Sequence, residues 1–270
     1  MDVTPYLELN VAPRVIFDAL AERRTRPRFM LPGEGGDWTA VTWGAYAKQI
    51  RGVAGYLLSL GLSAGDRGCI FAHNSVAWMS AAHGIGAAAG VMVPIYPAST
   101  AEQAGYVIAH SDAKVVFVAG ADLLERLFCC WDQCAEVERV VLLDDTLDAA
   151  ATLRGLREKG IAELPSSADM NAKVVRWGDV QRMGNDWHEE HPEAIDAAIA
   201  AIDLDQPALM LYTSGTTGQP KGVPLTHRNV GSNGRDWFEC NGPLLDEGAV
   251  DLLWLPMSHI FGFGEACLGN

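Results

Sequence analysis

The segment "RGCIFAHNSVAWMSAAHGIGAAAGVMVPIY", Arg67–Tyr96, alternates between two kinds of local structure. It begins with a short apolar run, "RGCIFAH", that is typical of a buried strand, and it continues with the helical pattern "SVAWMSAAHGIGAAAG". A second strand-like run, "VMVPIY", ends it. Strands that alternate with helices indicate a parallel sheet with helices on both faces. The segment therefore predicts an α/β fold.

The same alternation continues on both sides, between residues 43 and 143. Helical patterns occupy "WGAYAKQIRGVAGYLLSL" (Trp43–Leu60), "TAEQAGYVIAH" (Thr100–His110) and "ADLLERLFCCW" (Ala121–Trp131), and strand patterns occupy "AKVVFVAG" (Ala113–Gly120) and "RVVLLDD" (Arg139–Asp145). Thr100 stands at an N-cap position and Gln103 follows at the capping-box position, which marks a helix start. We predict layered parallel sheets flanked by helices.

The chain changes character after residue 143. Residues 144–205 are polar and charged, and we predict a partly helical connection that closes a first α/β lobe, residues 1–205. A second lobe would begin at residue 206 and continue to residue 270, with "PALMLY" (Pro207–Tyr212) and "VDLLWLP" (Val250–Pro256) as strands. Because the chain ends on an apolar segment, we expect further packed structure after Asn270 and self-association of the isolated chain into a homo-oligomer.

Composition and charge exclude several classes of protein. The chain has 270 residues, 49% of them hydrophobic, and a formal net charge of −14 without a basic stripe, so we expect no nucleic-acid partner. It shows neither a signal peptide nor an unbroken apolar span, so we expect no transmembrane segment and a cytoplasmic location. Cys129, Cys130 and Cys134 lack a second pair at zinc spacing, so we predict thiols and no metal site.

The segment "YTSGTTGQPKG", Tyr212–Gly222, is crowded with hydroxyl groups and glycines. Glycines let a backbone approach a ligand closely, hydroxyl and N–H groups donate hydrogen bonds, and one lysine adds positive charge. We therefore predict a polyphosphate site at Thr213, Ser214, Gly215, Thr216, Thr217, Gly218 and Lys221. It is not a Walker A loop, because Pro220 stands where that pattern requires glycine. The alternative is a polar surface turn.

Three motifs carry a resemblance to a known family. "YTSGTTGQPKGV" resembles the phosphate loop of the adenylate-forming enzymes, which include acyl-CoA synthetases, luciferases and peptide-synthetase adenylation domains. Residues 65–118 are similar to the opening half of fatty acyl-CoA synthetases. "LTHRNV" (Leu225–Val230) and "LPMSHIFGF" (Leu255–Phe263) resemble the motifs that follow. The resemblance implies the N-terminal half of the large domain of an acyl-CoA synthetase-like fold.

The resemblance also implies a two-step reaction that uses ATP, Mg²⁺ and coenzyme A. A carboxylic acid, which the "YPASTAEQ" region suggests is a fatty acid, attacks ATP to give an acyl adenylate, and a thiol then takes the acyl group. Lys221 would offset charge on the departing pyrophosphate, and His259 would help to place the carboxylate. Without the resemblance, His259 would be interpreted as a histidine satisfied inside a turn. Thr226 is predicted as a helix N-cap. For Arg228 two alternatives stay open, a contact with phosphate and a side chain that faces solvent.

Family members are longer than this chain. The resemblance implies that adenine-, magnesium- and ribose-binding segments and a C-terminal domain lie beyond Asn270, so we expect an N-terminal fragment that is inactive alone. The acceptor could instead be a carrier protein, which would make the parent an acyl-AMP ligase. A further alternative is a non-catalytic module that binds polyphosphate or a partner.

Overall fold

The computed structural model describes residues 7–213, 220–244 and 250–268. Its strands are β1 (Pro27–Pro32), β2 (Trp38–Thr42), β3 (Arg67–Phe71), β4 (Val91–Ile95), β5 (Ala113–Val118), β6 (Arg139–Leu142), β7 (Val174–Arg176), β8 (Pro207–Thr213) and β9 (Lys221–Thr226). Its helices are α1 (Ala12–Asp18), α2 (Leu20–Arg23), α3 (Trp43–Ser59), α4 (Val76–Ala87), α5 (Ala101–His110), α6 (Ala121–Phe128), α7 (Ala149–Glu158), α8 (Ser167–Lys173), α9 (Trp177–Glu190), α10 (Ala194–Ala200), α11 (His227–Asn241) and α12 (Ile260–Leu268). Within these ranges no helix combines the length and the apolar character needed to cross a membrane.

A seven-stranded sheet in the order β7-β6-β5-β3-β4-β8-β9 forms the centre of the molecule, and β1 and β2 form a separate antiparallel pair. Strands β3 to β8 pair in parallel, and β9 alone pairs antiparallel, with β8. Helices connect the parallel strands, as parallel pairing requires. The predicted α/β fold with a helix-covered parallel sheet is confirmed.

Both faces of the sheet are buried. Successive side chains of a strand point to opposite faces, so each strand contributes to two cores. Ile70 of β3 and Phe117 of β5 belong to a core shared with α3 and α4. The residues on either side of Ile70 in β3, Cys69 and Phe71, belong to a second core, which α5, α6 and α7 cover. Two buried faces explain why these strands are continuous apolar runs rather than alternating ones.

Helix starts follow from local side-chain chemistry. The Thr100 hydroxyl accepts a hydrogen bond from the Gln103 backbone, and the Gln103 side chain accepts one from the Thr100 backbone, so the predicted capping box is confirmed. Thr226 caps α11 in the same way, as predicted. Such caps satisfy N–H groups that have no partner within the helix, and each typically contributes about 1 kcal/mol.

Helices α3 and α9 cross at a contact made of glycines. A Cβ atom placed on Gly184 would overlap the backbone of Gly52, and one placed on Gly55 would overlap the backbone of Gly184. The two backbones therefore touch directly, which no larger residue at these positions would permit. This crossing holds α9, a helix from the predicted connection, against the first core.

The segment 144–205 is partly helical, as predicted, but it also contains a strand that the sequence analysis missed. β7 pairs in parallel with β6, from Val140↔Val174 to Leu142↔Arg176, and extends the central sheet. A three-residue strand is too short to show a periodic pattern. Strand β8 pairs with β4 at Met92↔Leu209, so residues after 205 add to the same sheet. The division into lobes at residue 205 stays a prediction.

The predicted strand at Val250–Pro256 is wrong: that segment contains no strand. The side chains of Val250, Leu252 and Trp254 are 82%, 70% and 71% exposed. An apolar run becomes a strand only where a neighbouring strand offers a free edge, and a single strand is not stable in water. This run has no such neighbour among the described residues.

Candidate active site

The polyphosphate segment connects two antiparallel strands. Thr213 ends β8, Lys221 begins β9, and the two residues pair directly opposite each other at the loop end of the hairpin, which we call the hairpin mouth. Both are exposed. Lys221 is therefore a strand residue, which corrects the expectation that it lies on a loop. The other predicted residues, Ser214, Gly215, Thr216, Thr217 and Gly218, lie outside the described residues.

Gly222 allows the hairpin to close at this end. It pairs with Tyr212, and a Cβ atom at Gly222 would lie 3.2 Å from Cζ of Tyr212 and 3.0 Å from the sulfur of Met210. The tyrosine ring thus lies over the position where a side chain would project. The glycine of the "PKG" motif is explained by this close approach rather than by an unusual backbone angle.

Tyr212 also fixes the end of β8 to helix α5. Its hydroxyl oxygen lies 2.8 Å from Nδ1 of His110, at hydrogen-bonding distance, and the His110 ring stacks on Tyr106 with centroids 5.3 Å apart. Burial raises the pKa of Tyr212, so the phenol stays protonated at neutral pH. This anchor could not be predicted, because His110 and Tyr212 are 102 residues apart in the chain and the pattern around one residue does not indicate the other as its partner.

His259 lies in the turn that precedes α12. Its backbone N–H donates to the Pro256 carbonyl at 3.0 Å, and its carbonyl accepts from Phe263 N–H at 2.9 Å. Its ring nitrogen Nδ1 accepts from the Phe261 N–H at 3.2 Å. Since Nδ1 is an acceptor, the neutral ring carries its proton on Nε2. The side chain is exposed, so Nε2–H is a donor available to a ligand.

The carboxyl ends of neighbouring parallel strands place the hairpin and His259 at one edge of the sheet. Tyr96 directly follows β4, and its ring meets the His259 ring edge-on at 6.4 Å. Thr213 ends β8, which is the neighbour of β4. Ligands of open α/β sheets bind outside the carboxyl ends of the strands. His259 does not follow a strand directly, contrary to expectation, but it lies beside the end of one.

Asn74 connects this edge to the segment before His259. It lies beyond the carboxyl end of β3, its side-chain Nδ2 donates to the Leu255 carbonyl at 2.7 Å, and its Oδ1 accepts from the Met257 N–H at 2.9 Å. Asn74 was not among the predicted site residues. A polar residue after a buried strand was its only signal, and nothing in the sequence indicates its partner.

Arg228 is not directed at the hairpin mouth. Its guanidinium forms a two-point pair with Asp205, with Nε–Oδ1 at 2.7 Å and Nη2–Oδ2 at 3.1 Å. Hydrogen bonding to Asp205 raises the pKa of Arg228, and the same contact lowers the pKa of Asp205. Arg228 therefore links α11 to the segment before β8. Lys221, in contrast, stands at the hairpin mouth.

Comparison with known proteins identifies the family of the chain. The family model described as "AMP-binding enzyme" matches residues 17–269. A long-chain-fatty-acid–CoA ligase of Mycobacterium bovis is 31% identical over 83% of this chain and 33% of its own length. A long-chain-fatty-acid–CoA ligase of Mus musculus is 29% identical over 91% of this chain and 34% of its own. The chain thus spans about a third of the length of these curated relatives.

Solved structures share the fold. A putative long-chain-fatty-acid CoA ligase from Rhodopseudomonas palustris superposes with a TM-score of 0.70 at 17% identity, over 97% of this chain and 56% of that one. A fatty acyl-adenylate ligase from L. pneumophila, in complex with acyl adenylate and pyrophosphate, gives 0.68 at 16% identity, over 98% and 39%. From the family match over nearly the whole sequence, the chain belongs to the AMP-binding enzyme family.

Proposed function

We propose that this chain is the N-terminal part of an ATP-dependent acid–thiol ligase. The enzyme would convert a carboxylic acid, with a fatty acid as first choice, to an acyl adenylate and then transfer the acyl group to coenzyme A. The observation that carries the proposal is the hairpin mouth formed by Thr213 and Lys221 at the carboxyl edge of the sheet. The fatty-acid substrate and the thiol acceptor follow the names of the relatives.

The first step brings a carboxylate to a polyphosphate that is itself negatively charged. An acidic chain with net charge −14 opposes both ions, so the site needs local positive charge. Lys221 supplies it at the end of a paired strand, where the backbone is fixed by β8. The predicted loop of Ser214, Gly215, Thr216, Thr217 and Gly218 would donate hydrogen bonds to the phosphates. One such donor aimed at developing charge is worth about 3 kcal/mol.

His259 would act as a hydrogen-bond donor rather than as a base. Its Nδ1 accepts from the Phe261 N–H, so that lone pair is occupied and Nε2–H is free. A donor at this edge can hold one carboxylate oxygen while the other attacks the α-phosphate. This role uses the ring with its proton on Nε2, so His259 does not remove a proton from the acid.

Mg²⁺ would enter the site together with ATP rather than bind in a cage of protein carboxylates. The chain presents an ammonium group and a hydroxyl at the hairpin mouth, and this donor set fits a polyphosphate and repels a cation. When bound, the ion would neutralise part of the charge on the leaving pyrophosphate.

The proposal also covers location and assembly: the enzyme would be cytoplasmic and would form a homo-oligomer.

A carrier-protein acceptor is the second candidate. The same fold occurs in a fatty acyl-adenylate ligase, at a TM-score of 0.68, whose name refers to the adenylation step alone, whereas the names of the sequence relatives favour coenzyme A. Both candidates share the adenylation step. They differ in whether free coenzyme A releases AMP and thioester in the second step.

The test is carboxylate-dependent ATP–pyrophosphate exchange by the complete gene product that carries this chain, measured with a series of fatty acids. Lys221→Ala should slow exchange roughly 10²–10³-fold, the scale for one lost electrostatic contact. His259→Ala should slow exchange while thiol transfer from a preformed acyl adenylate changes less.

Arg228→Ala is the matched control, because it removes a cation of the same segment that pairs with Asp205 instead of facing the mouth. ATP binding without exchange for any acid would favour the non-catalytic polyphosphate module. Equal exchange rates in wild type and Lys221→Ala would refute the role of Lys221.

A further inference from the structure

The link between Asn74 and the segment before His259 uses both ends of one carboxamide. Nδ2 donates to the Leu255 carbonyl at 2.7 Å, and Oδ1 accepts from the Met257 N–H at 2.9 Å. One hydrogen bond leaves a backbone free to rotate about it. Two bonds from a planar group to residues two apart fix both its position and its orientation. The carboxamide thus does for this segment what pairing with a strand would do.

This contact connects regions that are far apart in the chain, since Leu255 and Met257 follow Asn74 by 181 and 183 residues. Asn74 stands beyond the end of β3, the strand next to β4, whose end carries Tyr96. His259 lies two positions after Met257 in the chain. On the far side of His259, Phe263 is buried and its ring lies against His83 with centroids 6.0 Å apart. His259 is therefore held from both sides, by packing after it and by Asn74 before it.

We infer that Asn74 is a positioning residue for His259: it sets the distance of the His259 ring from the carboxyl edge of the sheet. The inference rests on the proposed function. Val250–Pro256 pairs with no strand among the described residues, and the Asn74 carboxamide supplies a donor and an acceptor in place of ladder hydrogen bonds. Asn74 touches no reacting group itself; it acts through the backbone of Leu255 and Met257.

Two substitutions separate the two hydrogen bonds. Asn74→Ala removes both, and a shift of about 1 Å at His259 would slow adenylation roughly 10²-fold. Asn74→Asp keeps the shape and the acceptor for Met257 N–H but places a carboxylate oxygen against the Leu255 carbonyl, so we expect a loss of roughly tenfold. The KM for ATP should stay close to the wild-type value in both, because the phosphates are held at the hairpin.

The experiment is a double-mutant cycle in the complete gene product, with Asn74→Ala, His259→Ala and the pair, measured by pyrophosphate exchange. If Asn74 acts through His259, its substitution should change the rate less than about threefold once His259 is alanine. Hydrogen exchange of the Met257 amide should become faster in Asn74→Ala. Asn185→Ala is the control, because it also loses one side-chain bond to a backbone carbonyl, that of Gln181, but lies on α9.

The outcomes distinguish the inference from the proposed function. A full effect of Asn74→Ala in both backgrounds would show a general structural role and overturn the inference, as would wild-type exchange in Asn74→Ala when His259→Ala is slow. If His259→Ala leaves exchange unchanged, the proposed role of His259 is refuted first, and the inference falls with it. If Asn74→Ala does not fold, the same cycle with Asn74→Asp decides.

Discussion

Two buried histidines make the stability of the fold depend on pH, and His83 is the clearer case. The ring lies between α3 and α4, with Nδ1 2.7 Å from the Tyr46 hydroxyl oxygen and 3.1 Å from the Met79 carbonyl oxygen. Burial lowers the pKa of His83 from 6.5 to about 4; the Met79 contact opposes this shift and Arg28 adds to it. The folded state therefore binds a proton less readily than the unfolded chain.

The sign and size of the effect follow from this difference. The contribution of His83 to stability is present above the unfolded pKa of 6.5 and is lost as the pH falls toward about 4. Across the whole interval the loss is about 3 kcal/mol, since one pKa unit corresponds to about 1.4 kcal/mol. Between pH 7.5 and pH 5 it is about 2 kcal/mol.

The assay is urea unfolding at pH 7.5 and pH 5, with the free energy of unfolding compared between wild type and His83→Gln. The variant is expected to be less stable at both pH values, but its loss between them should be smaller than that of wild type by about 2 kcal/mol. His227, whose pKa burial also lowers to about 4, gives an independent second test through His227→Gln. An equal loss in wild type and His83→Gln would show that His83 is not held neutral in the folded protein and would refute the reasoning.

Two further predictions concern packing and surface. Gly184→Ala should destabilise the protein by about 3 kcal/mol in thermal or urea unfolding, because its Cβ meets the Gly52 backbone, which cannot move aside as a side chain can. Gly155→Ala on α7 is the matched control and should stabilise by about 0.5–1 kcal/mol, because its Cβ meets nothing within 4 Å; equal effects would contradict the crossing. The isolated chain should self-associate through the exposed Leu252, Trp254 and Phe261, and Trp254→Ser should weaken this in sedimentation velocity. A monomer at every concentration would count against that surface.

The fold was predictable where local chemistry and burial agree. Strands β3 to β6 are apolar runs because both faces of the sheet are covered, and α4 and α5 between them begin at the side-chain caps Ser75 and Thr100. Two of the errors share one cause. β7 is too short to show a periodic pattern, and it forms because β6 offers a free strand edge for pairing. Val250–Pro256 has the apolar pattern of a strand, but no free strand edge lies beside it among the described residues. Pairing is a property of two segments, and a single segment does not reveal it.

The site divides in the same way. The hydroxyls, glycines and lysine of Tyr212–Gly222 are local, so the sequence predicts a phosphate-binding segment there; the Tyr212–His110 and Asn74–Met257 contacts join distant segments and could not be predicted. The β8–β9 hairpin was not predicted, because its second strand contains residues that usually indicate a loop. Strand β9, "KGVPLT", contains Gly222 and Pro224, which weaken most strands.

β9 tolerates both residues because of where it lies. It is the outermost strand of the described sheet, so Pro224 removes an N–H that a central strand would need but an outer strand does not. Gly222 lies under the ring of Tyr212, and a larger residue there would require the Tyr212 and Met210 side chains to shift. The outer strand thus carries Lys221 to the mouth opposite Thr213 and ends in the Thr226 cap of α11. A charged residue fixed in a paired strand loses less freedom on binding phosphate than one on an open loop, and for this reason we expect Lys221→Ala to affect turnover more than stability.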